Sequence, residues 1–208
     1  MGRRAGTAVA DLNFLSLPVD RYDLIVSSST IHHVTNLEHL AFQINQALTS
    51  SGYFFLEDYV GEPRFEFSSA KRRLCEIIHN RQLARETGRR QGLVWRDASE
   101  LNPFCGVRSH EILTVFRQYL DEVELRTAAT LTVPIARSRP IDADDCWDRV
   151  PRWKIVVAMW AQRLGWPRRP VELDARMLDE LYWIGDAMAD AGLLLPSVAF
   201  AVYRKRRV

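Results

Sequence analysis

The sequence predicts an α/β fold with a mostly parallel sheet, and three observations carry that prediction. Tyr22 to Ser28 is apolar through its middle, at Leu24, Ile25 and Val26, the pattern of a parallel strand covered on both faces. Thr35 to Leu48 repeats apolar residues at helical spacing. Tyr53 to Leu56 resumes as an apolar strand after Ser51-Gly52. A strand, a helix and a strand joined by short connections imply a right-handed parallel crossover.

The remaining elements follow in order. Thr7 to Leu12 is a short apolar run ending near Asp11 and Asn13, expected as a strand with polar residues at its C-terminal edge. Leu17-Pro18 marks a loop. In the first helix, Thr35 and Glu38 have the spacing of a capping box. Leu37, Leu40, Ala41, Ile44, Ala47 and Leu48 share its apolar face. Ser51-Gly52 is expected to stop that helix through a left-handed glycine. Phe65 to Thr87 has helical periodicity through Phe67, Ala70, Leu74, Ile77 and Ile78, with Arg and Lys on its other face. Gly88 to Gly92 is a polar break, and Asp97 to Val107 a loop around Pro103. His110 to Leu120 is a second amphipathic helix. Val123 to Val133 alternates like a strand, and Pro134 to Asp145 reads as a loop. Trp147 to Leu164 and Leu173 to Ala191 are two further helices, and Leu193 to Tyr203 is the last strand. Runs of strands and helices in this order give an α/β class.

Bulk properties narrow the function. The 208 residues suffice for one domain with a substantial core. A net charge of +2 points neither to a nucleic-acid binder nor to an acidic tail. Three cysteines, Cys75, Cys105 and Cys146, stand far apart without a Cys-x-x-Cys pair, which favours a reduced, cytoplasmic protein. No apolar run has signal-peptide or membrane-spanning length, so no membrane partner is expected.

The region from Ala8 to Gly61 resembles strands 3, 4 and 5 of the class I S-adenosylmethionine-dependent methyltransferases. The pieces that carry the resemblance are Val9-Ala-Asp-Leu-Asn13, Tyr22-Asp-Leu-Ile-Val26, His32-His-Val-Thr-Asn-Leu-Glu38 and Gly52-Tyr-Phe-Phe-Leu-Glu-Asp58. Asp97-Ala-Ser-Glu-Leu101 and Arg108-Ser-His-Glu-Ile112 are similar to a segment found in bacterial members with an inserted helical region. Phe200-Ala-Val-Tyr-Arg-Lys205 resembles their closing strand. That family has a seven-stranded sheet in the order 3-2-1-4-5-7-6, with strand 7 antiparallel.

The resemblance implies an incomplete Rossmann-like methyltransferase fold, with an antiparallel last strand and added helices. It implies a single domain over residues 1–208: cofactor-side strands in 1–61, a helical and substrate-side region with strand 6 in 62–192, and a closing strand in 193–208. The chain begins where the third strand would lie, so the glycine-rich loop of the first strand is not in it. The family pattern thus looks N-terminally truncated, and binding of the cofactor S-adenosylmethionine is expected to be weakened or lost. Met1 to Pro18 is expected to be poorly ordered or paired against the strand at Tyr22.

By position in the family, Asp11 and the Leu12 backbone hold the adenine end of the cofactor, and Ser27, Ser28 and Ser29 line its methionine end. These residues fall at the C-terminal edge of the strands, where open α/β sheets bind ligands. His33 and His32 follow on the loop facing the substrate and are the candidate catalytic bases, with Glu57 and Asp58 behind them. Each has a plainer reading. Asp11 can be a turn residue, the serines can be packing residues, the histidines can order a loop, and Glu57 and Asp58 can be solvated strand-end charges. Trp147, Trp153, Trp160, Trp166 and Trp183 read as core or as pocket wall. The helices from Trp147 to Ala191 are expected to cover the acceptor.

The implied function is methyl transfer to a small-molecule or glycan acceptor. The alternative is a non-catalytic binding module or half of a heteromer, with a partner chain completing the sheet. No nucleic-acid partner and no metal are expected.

Overall fold

The Leu24-Ile25-Val26 run forms the middle of strand β1, Tyr22–Ser28. β1 pairs in parallel with β2, Leu48–Tyr59, through partners running from Leu24 and Tyr53 to Ser28 and Glu57. Between them lies helix α1, Leu37–Ala47, so the crossover expected from the sequence is present. These features belong to a computed structural model, which describes residues 6–88, 92–95, 102–141 and 175–207.

Further along the chain lie α2, Ser69–Thr87, β3, Gly92–Trp95, and α3, Ile112–Tyr119. They are followed by β4, Leu120–Ala128, α4, Thr132–Ala136, and β5, Ser138–Ile141. The last elements are α5, Ala175–Asp190, and β6, Val198–Lys205. The main sheet has the order β1-β2-β6-β4, and β6 runs antiparallel to β2. A separate two-stranded antiparallel sheet joins β3 to β5. The structure thus has the α/β class, the parallel pair and the antiparallel last strand that were expected.

The chain divides into two compact units. One consists of Met1–Arg64, Asn102–Thr127 and Val198–Val208 and contains the main sheet. Its core gathers Leu37, Leu40, Ile44, Phe54, Leu56, Ile112, Phe116 and Tyr203. Residues at every second position of β2 and β6 point into it, as the pleat requires. Phe54 stacks on Phe116 at 5.6 Å between ring centroids and on Tyr203 at 6.1 Å. Burial of each such aromatic or branched side chain contributes roughly 1.5–3 kcal/mol. The other unit consists of Phe65–Leu101 and Ala128–Ser197. Its core is built from α2, α4 and α5 around Cys75, Ile78, Leu131, Ile135, Met177 and Leu181.

Several expectations are corrected. Thr7 to Leu12 is not a strand: residues 6–11 are irregular and 12–14 form a turn. It does not pair with β1 either, because Asn13 ties this segment to the start of α1 instead. The Asn13 Oδ1 accepts the backbone N–H groups of Thr35 and Asn36, both at 2.9 Å. That oxygen takes the Thr35 N–H that Glu38 would accept in a Thr35–Glu38 capping box, which does not form; the N-cap is Asn36, without a side-chain cap. Gly52 is not a left-handed helix stop. α1 ends on the extended Leu48, and Gly52 sits inside β2, where a Cβ would lie 2.8 Å from the Tyr22 carbonyl oxygen.

α2 starts at Ser69 rather than Phe65, because Arg64 and Phe65 take left-handed conformations at φ 53° and 59°. The Ser68 hydroxyl caps it, and Gly88 at φ 69° closes it. Val133 belongs to α4, and the stretch expected as a loop after Pro134 contains β5. Trp183 is 79% exposed and so is not a core residue. The helix expected at Trp147 to Leu164 lies outside the described residues, as do Trp147, Trp153, Trp160, Trp166 and Cys146. Among the described residues no helix is long and apolar enough to cross a membrane.

Candidate active site

The C-terminal ends of β1 and β2 lie side by side, and the chain leaves β1 through a tight turn. Ser29 takes φ 49°, a left-handed conformation that a residue with a Cβ adopts at a cost. Its N–H donates to the Glu57 carbonyl at 2.8 Å. The turn aims the next two backbone N–H groups at one carboxylate. Thr30 and Ile31 donate to Asp58 Oδ2 at 3.0 and 2.6 Å. Ile31 is buried and anchors the 3-10 turn Ile31–His33.

Asp58 is the centre of this arrangement. Its side chain is fully buried, and Oδ1 meets His32 Nδ1 at 2.6 Å. The same oxygen accepts the Tyr59 N–H at 2.7 Å. The reading of Asp58 as a solvated strand-end charge is therefore overturned, because a charge buried this completely must be bonded on all sides. The Asp58 contact favours the His32 tautomer with its proton on Nδ1. Glu57, on the opposite face of β2, is half-buried and accepts the Ser28 hydroxyl at 2.6 Å.

His33 stands beside His32, ring centroids 4.0 Å apart and tilted by 41°. Partial burial is the main reason its pKa lies below the ordinary histidine value, with the neighbouring His32 acting in the same direction and Asp58 opposing them. The Tyr59 ring stands nearly perpendicular to that of His32, 6.4 Å away between centroids. A loop from a distant part of the sequence closes the site. The Gly106 N–H donates to the His32 carbonyl at 2.7 Å, and the Gly106 carbonyl accepts the Arg64 N–H at 2.7 Å. The buried Ser109 hydroxyl donates to the Gly61 carbonyl at 2.9 Å. These bonds bring buried Cys105 to the two histidines.

The expected cofactor residues are placed as follows. Ser28 and Ser29 are exposed at the end of β1, and Ser27 is half-buried. Asp11 is exposed, and its Oδ1 accepts the Asn13 N–H and side-chain amide, both at 2.9 Å. These bonds lower the Asp11 pKa. Leu12 packs against the edge of the core. The structure brings Ser28, Ser29, His32 and His33 to one sheet edge. Sequence reasoning missed the central position of Asp58 and the presence of Cys105. The signal for Asp58 was its place at the last inward-facing position of β2. For Cys105 the sequence held no signal, since only the folded loop brings it near.

The order β1-β2-β6-β4, with β6 antiparallel to β2, agrees with the 4-5-7-6 portion of the sheet that the sequence resemblance implies. No protein-family model matches the chain, and no curated protein matches it by sequence. Similar solved structures include an S-adenosylmethionine-dependent methyltransferase from Mesorhizobium loti, 16% identical with a TM-score of 0.39, over 94% of this chain and 67% of that one. Another is the Haemonchus contortus phosphoethanolamine N-methyltransferase 2, 12% identical with a TM-score of 0.37, over 95% of this chain and 36% of that one. A third is the cyclase SpnF, 12% identical with a TM-score of 0.40, over 97% of this chain and 57% of that one. The chain therefore spans between 36% and 67% of the length of these structures.

Proposed function

We propose that this chain carries methyl-transfer chemistry, from S-adenosylmethionine to a small-molecule or glycan acceptor. The observation that carries the reading is the coincidence of the 4-5-7-6 strand order with a histidine pair and a buried aspartate at the C-terminal edge of the parallel strands. The exposed residues of that edge fit the cofactor. Ser28 and Ser29 are small and carry hydroxyls, which suits the polar methionine end. Asp11 Oδ2 takes neither of the Asn13 bonds, which leaves a carboxylate oxygen suited to an adenine amino group.

When bound, S-adenosylmethionine supplies an electrophilic methyl on a sulfonium. His33, at the open side of the pair, takes the proton of the acceptor's hydroxyl or amine. Asp58 holds His32 in one tautomer and fixes the turn on which both rings stand. The alignment of these groups, more than their basicity, sets the rate of such a displacement.

Titration of isotope-labelled protein with S-adenosylhomocysteine, followed by amide NMR, tests the reading. Saturable shifts in the millimolar range are expected at Ser28 to His33 and at Asp11 to Asn13. No shifts at these residues, or shifts confined to other surfaces, would overturn it. His33→Ala should keep the shifts at Ser28 and lose methyl transfer.

Among the described residues β1 ends the main sheet, which favours a second reading, in which a partner chain pairs with β1 and the module is non-catalytic or half of a heteromer. Recovery of the chain from its source with a stoichiometric partner and no methyl transfer would support that reading. Recovery as a lone active chain would exclude it.

A further inference from the structure

Three side chains that ligate soft or borderline cations meet at the end of the parallel strands. One ligand atom each from His32, His33 and Cys105 lies within 4.8 Å of the other two. In a tetrahedral zinc site, bond lengths of about 2.0–2.3 Å put such atoms about 3.3–3.8 Å apart, so a side-chain closure of about 1 Å completes the set. Two imidazoles and a thiolate suit zinc, and hard cations such as magnesium or calcium prefer oxygen donors.

We propose that His32, His33 and Cys105 bind one zinc ion. The surroundings supply what a zinc site needs beyond its ligands. Asp58 meets His32 Nδ1 at 2.6 Å, the carboxylate–histidine contact that orients a metal-binding imidazole. Asp58 is itself locked by three backbone N–H groups, so the imidazole is fixed in orientation before any ion arrives. Its buried negative charge also lies one ring away from the cation. The Gly106 to His32 hydrogen bond ties the Cys105 loop to the histidine turn, which holds the third ligand in reach.

On binding, the Cys105 thiol releases its proton to solvent and both imidazoles bind through neutral nitrogens. Three protein ligands leave a fourth position for water. The inference goes beyond the methyl-transfer reading and does not depend on it. An ion on the site takes the lone pair that His33 would use as a base, so the base role belongs to the metal-free chain.

The test uses the whole chain without S-adenosylmethionine and cobalt(II) as a spectroscopic stand-in, displaced afterwards by zinc. One equivalent of cobalt should give tetrahedral visible bands and a thiolate-to-metal charge-transfer band, both abolished by zinc. Cys105→Ser should lose the charge-transfer band. His33→Ala, a change at an exposed position, should weaken zinc affinity at least tenfold, and Asp58→Asn should weaken it about 10- to 100-fold through the His32 ring. Zinc should also slow alkylation of Cys105 in the unaltered chain, and a chelator should reverse this. Absence of the charge-transfer band in the unaltered chain would overturn the proposal. So would zinc affinity that is unchanged in His33→Ala, or Cys105 alkylation that zinc leaves unaffected.

Discussion

At the scale of the residue, Asp58 decides the local structure. A strand-end acid followed by Tyr59 reads in sequence as a solvated charge, because nothing in β2 announces what will stand above it. The fold closes a turn over it, and its carboxylate accepts from Thr30, Ile31, Tyr59 and His32. Hydrogen bonds to a charged group are stronger than neutral ones, and donors left behind in a buried site add their own desolvation cost. Asp58→Ala is therefore expected to destabilise the chain by about 3 kcal/mol, and Asp58→Asn, which keeps one acceptor oxygen for Thr30 and Ile31 but turns an NH2 toward the Tyr59 N–H, by about 2 kcal/mol. Urea denaturation midpoints measure both, and an Ala variant as stable as the parent would remove Asp58 from its central role. The place of the histidines on the turn after β1 was legible. The acid that positions one of them was legible only as a neighbour in the list of candidates. Cys105 was not legible at all, since its approach depends on bonds from Gly106 and Ser109 that no local pattern encodes.

At the scale of the element, α1 shows how a correct helix can have an unexpected start. Its apolar periodicity was readable, and Leu37, Leu40, Ala41 and Ile44 are indeed buried. The cap was not readable, because Asn13 reaches it from the preceding irregular segment and Arg108 removes Glu38 from the capping box. Asn13→Ala should cost about 1–2 kcal/mol, because it removes the acceptor of the Thr35 and Asn36 N–H groups just before α1. It should also release the segment before β1 to limited proteolysis, and unchanged cleavage would show that the segment is held elsewhere. Arg108 bridges the first turn of α1 to the start of α3, meeting Glu38 at 2.7 Å and Glu111 at 2.7 Å. The Arg108 hydrogen bond is the main cause that lowers the Glu38 pKa from 4.5 to about 2, and it lowers Glu111 as well. A carboxylate with a depressed folded pKa stabilises the fold above its unfolded value and loses that contribution as pH falls through the folded one. Stability should therefore decline between pH 4.5 and about 2. Glu38 is 42% exposed, so solvent screening limits its share to about 1 kcal/mol. Arg108→Gln should flatten that part of the acid limb, as read from denaturation midpoints across the window, and an unaltered slope would refute the assignment.

At the scale of the molecule, the strand order followed from the resemblance, and the covering of the sheet did not. Leu24-Ile25-Val26 reads as a strand buried on both faces, the usual condition of a parallel strand. Periodicity can report that a residue is apolar, but burial depends on which other elements arrive. Here α1 and α3 pack on the face that carries Ile25, Phe54, Leu56 and Tyr203. The opposite face leaves Leu24 60%, Val26 59% and Tyr53 47% exposed. Adjacent apolar side chains on β1, the last strand of the sheet among the described residues, form the kind of surface that drives association. Leu24→Lys and Val26→Lys should each change stability by no more than about 0.5 kcal/mol, the range of substitutions at exposed sites. They should also reduce binding of a hydrophobic dye and slow aggregation on heating. Ile25→Lys, one position away on the same strand, places a charge against the core and should unfold the unit or cost several kcal/mol. A parallel loss of stability at position 24 would mean that the face is covered in solution. Equal tolerance at position 25 would mean that the register of β1 against β2 is wrong, since a one-residue slip exchanges the two faces.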